Sequence, residues 1–163
     1  MVKFLKEHSD LLKKLLAAIC VVAALIVIVC QWVSLNEYER QNAVIKREFY
    51  QRLNVIYMLN DIENIEESYW NSICEASRIN CFILDTFDFK TLLSGRDSFD
   101  LDDDMEEAIK EFFFELNEKL NETDFSDITL DQKMYFKTVG EEIHIALGSG
   151  RGNFFYTIYS FTI

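Results

Sequence analysis

No proline occurs among the 163 residues, glycine appears five times and histidine twice. No proline- or glycine-rich linker therefore divides the chain, and no internal repeat or low-complexity segment does so either. With only His8 and His144, a histidine-rich metal centre is excluded, and a nucleophilic triad in the larger part of the chain would rest on His144 alone. Carboxylates abound, yet no pair is set apart by its neighbours as acid and base. Glu75 beside Cys74 opposes a low-pKa thiolate. The expectation is a chain that is not an enzyme, with no catalytic residues, no cofactor, no metal and no small-molecule substrate.

Positive charge is scarce as well. The chain holds 16 Lys and Arg against 28 Asp and Glu, a net charge of −12. Such an acidic surface excludes nucleic acid as a partner and is unfavourable toward an anionic membrane face; basic proteins or cations suit it better.

What the sequence has is an apolar run, LLAAICVVAALIVIVCQWV at 15–33, whose one polar side chain is Gln31. As a helix it reaches about 28 Å, close to the ~30 Å hydrocarbon thickness of a bilayer. Leu15, Leu16, Ile19, Val22, Leu25, Ile26, Val29 and Trp32 read as a membrane anchor, with Trp32 at the interface. A signal peptide has a shorter apolar core and small residues at its cleavage site, whereas Val29, Cys30, Gln31, Trp32 and Val33 offer none. An uncut anchor is the expectation. Lys3, Lys6, Lys13 and Lys14 precede the run against only Glu7 and Asp10, which leaves 12 basic and 26 acidic residues after position 33. Lysines beside the N-terminal end place that end in the cytoplasm. The expected organisation is a basic cytoplasmic tail at 1–14, a single-pass transmembrane helix at 15–33 and an acidic extracytoplasmic domain at 34–163. Cys20 and Ala24 form a small-xxx-small pair, a weak pairing signal within the span.

Beyond the span, Tyr38, Ile45, Phe49, Leu53, Ile56 and Leu59 recur at helical spacing and predict a stalk helix within 34–80. Of these, Tyr38, Ile45, Phe49, Ile56 and Leu59 form a candidate interaction stripe. The stripe shifts to Ile62, Ile65, Tyr69, Ile73 and Ala76 after Asn60-Asp61, where Asn60 to Glu63 resembles a capping box. One drifting helix or two helices bent near residue 60 both fit. Met105, Ile109, Phe112, Leu116 and Leu120 predict an amphipathic helix at 104–121. The alternation of EEIHIAL, the aromatic NFFYTIYSFTI and KMYFKT predict a C-terminal antiparallel β-meander at 133–163, with Gly148 to Gly152 as a hairpin loop and the final strand built into the sheet. The expected fold class is α+β, with the 104–121 helix packed on that meander.

Several motifs have plain readings. Asp100, Asp102, Asp104 and Glu111 have calcium-loop spacing, but Met105 stands where glycine is needed, so an acidic helix N-terminus is expected. GSGRG joins strand to strand in this scheme, which favours a hairpin over a phosphate cradle. Asn121-Glu122-Thr123 matches a glycosylation sequon. Cys74 and Cys81 lie on the oxidising side and form a possible disulfide, provided the helix ends between them at Arg78-Ile79-Asn80.

The expected function is a non-enzymatic bitopic membrane protein, a structural or accessory subunit of a cell-envelope assembly. It would hold the bilayer through 15–33 and contact other membrane or envelope proteins, a second copy included. The outline of basic head, apolar helix, amphipathic extension and C-terminal sheet is similar to type IV pilin-like subunits, minor pseudopilins and competence pilins among them. That resemblance implies a filament subunit processed after a glycine, although Lys14-Leu15 has no glycine and residues 15–30 no acid. A third reading is a membrane-anchored binder, immunity-type or sensory, of a basic partner.

Overall fold

The computed structural model describes residues 2–87, 89–93, 101–150 and 153–162, with side chains from Lys13 onward. Among these residues every regular element is helical: α1 (Val2–Ile56), a 3₁₀ segment (Tyr57–Asn64), α2 (Glu67–Thr86), α3 (Phe89–Leu93), α4 (Asp103–Glu122), a 3₁₀ turn (Phe125–Asp127), α5 (Leu130–Gly148) and α6 (Phe154–Thr162). Two units emerge, Met1–Gln41 and Asn42–Ile163. The first is a stretch of α1. The second contains the core.

The expected α+β class is thus corrected, since no strand occurs among the described residues. The meander expected at 133–163 is instead α5 and α6. The alternation of Ile143, Ile145 and Leu147 misled because a six-residue window fits two periods. Over the whole segment the buried side is Phe136, Val139, Gly140, Ile143 and Ala146, spaced as one helix face, while Ile145 is exposed. The start of α5 is also encoded locally. Thr129 and Gln132 make a reciprocal capping box: the Gln132 N–H donates to Thr129 Oγ1 at 3.2 Å and the Thr129 N–H to Gln132 Oε1 at 2.9 Å. In α6, Phe154, Phe155 and Ile158 are buried, again one helical face. With no sheet there, the outline shared with type IV pilin-like subunits fails at its C-terminal third.

Near residue 60 the chain bends. α1 ends at Ile56, Asp61 leaves helical geometry at φ −116°, ψ 42°, and Ile65 is extended before α2 starts. Asn60 caps nothing; the local bond runs from Asn64 Nδ2 to Asp61 Oδ1 at 2.6 Å. The acidic segment forms α4, whose N-cap Asp102 accepts the Met105 N–H at 2.9 Å, while Asp103, Asp104 and Glu106 occupy its positive first turn. Asp102 is therefore a cap rather than part of a calcium loop. The turn expected at Ser94-Gly95, Asp100 of the calcium spacing, and Arg151 and Gly152 of the glycine-rich loop lie outside the described residues.

The core is strongly aromatic. Phe49 of α1 meets Phe113 of α4 with ring centroids at 5.9 Å, and Phe155 and Phe154 of α6 at 5.9 and 6.3 Å. Phe89 of α3 sits 4.9 Å from Phe155. α5 approaches the 3₁₀ segment so closely that a Cβ on Gly140 would lie 2.6 Å from Leu59 C, 2.9 Å from Asn60 Cα and against Asn60 N. All three are backbone atoms and none can rotate away.

Gly140→Ala therefore sets a steric conflict, about 1–3 kcal/mol, against a helix-propensity gain of about 1 kcal/mol. The clash outweighs the gain, because relieving it requires the backbone to move. Gly148 has no atom within 4 Å of its would-be Cβ. Urea unfolding of the full chain in detergent micelles, followed by far-UV circular dichroism, is expected to show Gly140→Ala destabilised and Gly148→Ala unchanged or stabilised by up to about 1 kcal/mol.

Candidate functional site

Three regions carry the side chains that the sequence singled out. The first is the apolar run. Leu15, Leu16, Ile19, Val22, Leu25, Ile26, Val29 and Trp32 are each 56–64 % exposed, values expected of a helix uncovered on every side. This is the one helix among the described residues long and apolar enough to cross a membrane. A core helix would be mostly buried, and this stretch is not.

The second region is the candidate stripe. Phe49, Ile56 and Leu59 have no exposed surface, Ile45 packs partly against them, and Tyr38 stands exposed. The stripe from Ile45 onward is consumed by the domain's own core, and with it Leu53. The cysteines of α2 behave similarly. α2 runs unbroken through Arg78-Ile79-Asn80, so the condition for a Cys74–Cys81 bridge is not met, and both thiols are free. Each faces α4: Cys74 Sγ donates to Leu120 O at 3.8 Å and Cys81 Sγ to Phe113 O at 3.2 Å. Seven residues on one helix match seven on the other, as antiparallel packing requires. Burial raises both thiols, Cys81 to about 11, which suits inert packing rather than nucleophilic chemistry.

The third region was not visible in the sequence. α4, α5 and the end of α6 enclose an open cleft of about 410 Å³. Glu111 and Glu115 of α4 and Glu142 of α5 line it, with Phe112, Tyr135 and Phe161 supplying apolar surface. A second cavity of about 300 Å³ shares Tyr135 and extends along α4 toward Lys119, Thr123 and Gln132. Glu142 is half-buried, and desolvation raises its carboxyl above the ordinary range. Tyr135 is pushed up to about 12, chiefly by burial and then by the negative charges of Glu115 and Glu142. At the junction Lys119 Nζ lies 4.7 Å from the Tyr135 ring centroid and 3.1 Å from Glu115 Oε1. An ammonium already sits between an aromatic face and a carboxylate.

His144 is exposed on α5, its ring 5.4 Å from that of Tyr57. Among the described residues no three His, Cys, Asp or Glu side chains are grouped to hold a metal. The only sequence sign of the cleft was the row of glutamates at 107, 111, 115, 118 and 122, ordinary until α5 was a helix bringing Tyr135 and Glu142 beside it. Comparison with known families, curated proteins and solved structures gives no match for this chain.

Two measurements follow from the buried titratable groups. Alkylation in denaturant without reductant is expected to count four thiols by intact mass, and in the folded chain Cys81 reacts more slowly than Cys74. Tyr135 titrates near 10.0 when unfolded and near 12 when folded, so its contribution is fully present below pH 10 and is lost as pH rises toward 12. Denaturation midpoints are expected to fall over that window, and to fall less in Tyr135→Phe.

Proposed function

We propose that this chain is a single-pass membrane protein with its N-terminus in the cytoplasm. In this reading its helical domain lies outside as a non-enzymatic interaction module, a structural or accessory subunit of a cell-envelope assembly. One observation carries the proposal: the apolar residues from Leu15 to Val33 stand exposed on all sides of a helix. In water, apolar surface costs about 25 cal/mol per Å². A bilayer removes that cost without asking for any protein cover.

The orientation is supported by charge. Lys13 and Lys14 adjoin the start of the run, and the acidic excess follows it. The interaction role is supported by the character of the domain, which has an aromatic core and a solvent-open acidic cleft.

Carbonate extraction and cysteine labelling test both parts. The chain is expected to stay with the membrane at alkaline pH. In a background with all four native cysteines replaced by alanine, a membrane-impermeant maleimide applied to intact cells is expected to label Ser126→Cys but not Ser9→Cys until lysis. Release by carbonate removes the span, and the reverse labelling pattern inverts the topology.

A further inference from the structure

We propose that the cleft between α4 and α5 binds a lysine- or arginine-bearing segment of another protein on the same side of the membrane. This names the partner chemistry for the interaction module and rests on that reading. Three features argue for it.

The first is charge complementarity in a shaped site. Glu111 and Glu142 face the larger cavity from opposite helices, and neither has a cationic side chain bonded to it among the described ion pairs. Phe112, Tyr135 and Phe161 give the same cavity aromatic surface, the combination that stabilises ammonium and guanidinium groups. The second is the resident cation. Lys119, four residues after Glu115 on α4, places its ammonium 4.7 Å from the Tyr135 ring and 3.1 Å from Glu115, an example beside the cleft of the contacts that a cation would make. In the cleft itself an incoming lysine would meet the carboxylates of Glu111 and Glu142 beside the rings of Phe112 and Tyr135.

The third is what the alternatives require. A metal ion needs converging ligands, and no three suitable side chains are grouped among the described residues. Nucleic acid and anionic lipid are repelled by the surrounding acidic residues. A second copy presents the same acidic excess, 26 carboxylates against 12 basic groups after residue 33, so self-association through this cleft sets like charge against like. The cleft, about 410 Å³ in volume, is larger than a single ammonium fills, and a second cavity lies on the other side of Tyr135's contacts with α4. A polypeptide carrying more than one cation matches that size.

The test uses the full chain in neutral-detergent micelles and a fluorescein-labelled, amidated peptide of alternating lysine and alanine, read by anisotropy. Two double variants remove the same charge: Glu111→Gln with Glu142→Gln in the cleft, and Glu67→Gln with Glu75→Gln on the exposed side of α2. The cleft variant is expected to weaken binding about fivefold or more, as losing two ion contacts, one of them at the half-buried Glu142, implies. The α2 variant is expected to weaken it less than twofold, the level of a general field that salt screens. Melting curves of both variants confirm that each is folded. Equal weakening by the two variants assigns the binding to bulk charge and overturns the cleft. So does absence of binding at low salt. Displacement of the peptide by spermine at equal potency per charge overturns the polypeptide partner in favour of a small polyamine. None of these outcomes depends on the orientation in the membrane, which the labelling experiment tests separately.

Discussion

The ring of Phe49 is where the helical domain is joined. It stands near the end of α1, and its neighbours come from α4 (Phe113) and α6 (Phe154 and Phe155). The backbone of the same residue reaches α2, because Asn80 Nδ2 donates to Phe49 O at 3.4 Å. Four helices from distant parts of the sequence therefore converge on one position. Phe113 and Phe154 meet the Phe49 ring edge-to-face and Phe155 stacks on it, and such close ring packing tolerates little displacement, so each helix is indexed against the others through this cluster. Asn80 adds direction to a contact that hydrophobic burial alone leaves slippery: its Nδ2 is bonded there, while its buried Oδ1 has no hydrogen-bond partner among the described residues. α5 joins by a different device, backbone against backbone at Gly140, where the absence of a side chain is what permits contact.

How much of this could be read from the sequence depended on the length of each periodic signal. α4 was legible because five apolar positions repeat over sixteen residues and three aspartates mark its positive end. The observed Asp103–Glu122 lies within a residue of the expectation at each end. The bend near residue 60 was legible as an alternative, because the apolar face changes side there. α5 and α6 were not legible. β-branched and aromatic residues dominate α6, and their strand preference is a statement about half-buried surfaces rather than about backbone. In α6 that bulk fills the Phe49 cluster instead. The decisive sign for α5 was Thr129 with Gln132, four residues before the stretch that read as a strand. A capping box outweighs a short alternation because it commits the backbone N–H groups at a definite residue.

The same misreading hid the acidic cleft. With 133–163 taken as a sheet, Tyr135 and Glu142 are seven residues apart on a hairpin and do not share a face. On a helix, seven residues are two turns, and both side chains turn toward α4. The two cysteines taught the converse lesson. Their spacing permits a bridge only across a helix end, and the continuous α2 instead uses both sulfurs as packing atoms against α4 carbonyls. The stripe expected to meet a partner is likewise spent inside the domain from Phe49 to Leu59. The domain's remaining surface is largely acidic, which follows from composition alone, with single exposed apolar side chains such as Phe82, Leu130 and Met134 and the aromatic lining of the cleft, which do not.

Lys119 gives that lining an unusual property. Its ammonium is a tethered competitor, held by Glu115 and the Tyr135 ring in a pair whose members are each about half exposed. Exposed pairs of this kind contribute about 0.3–0.5 kcal/mol, so the tether is a weak latch. Exchanging Lys119 for one foreign lysine trades like for like and gains almost nothing. A ligand gains instead from each cation that it places at Glu111 or Glu142, which have no occupant to surrender among the described ion pairs. On the proposal above, the resident lysine therefore offsets only the contact that a ligand makes at Glu115, and the rest of its gain depends on how many of the unoccupied carboxylates it reaches at once.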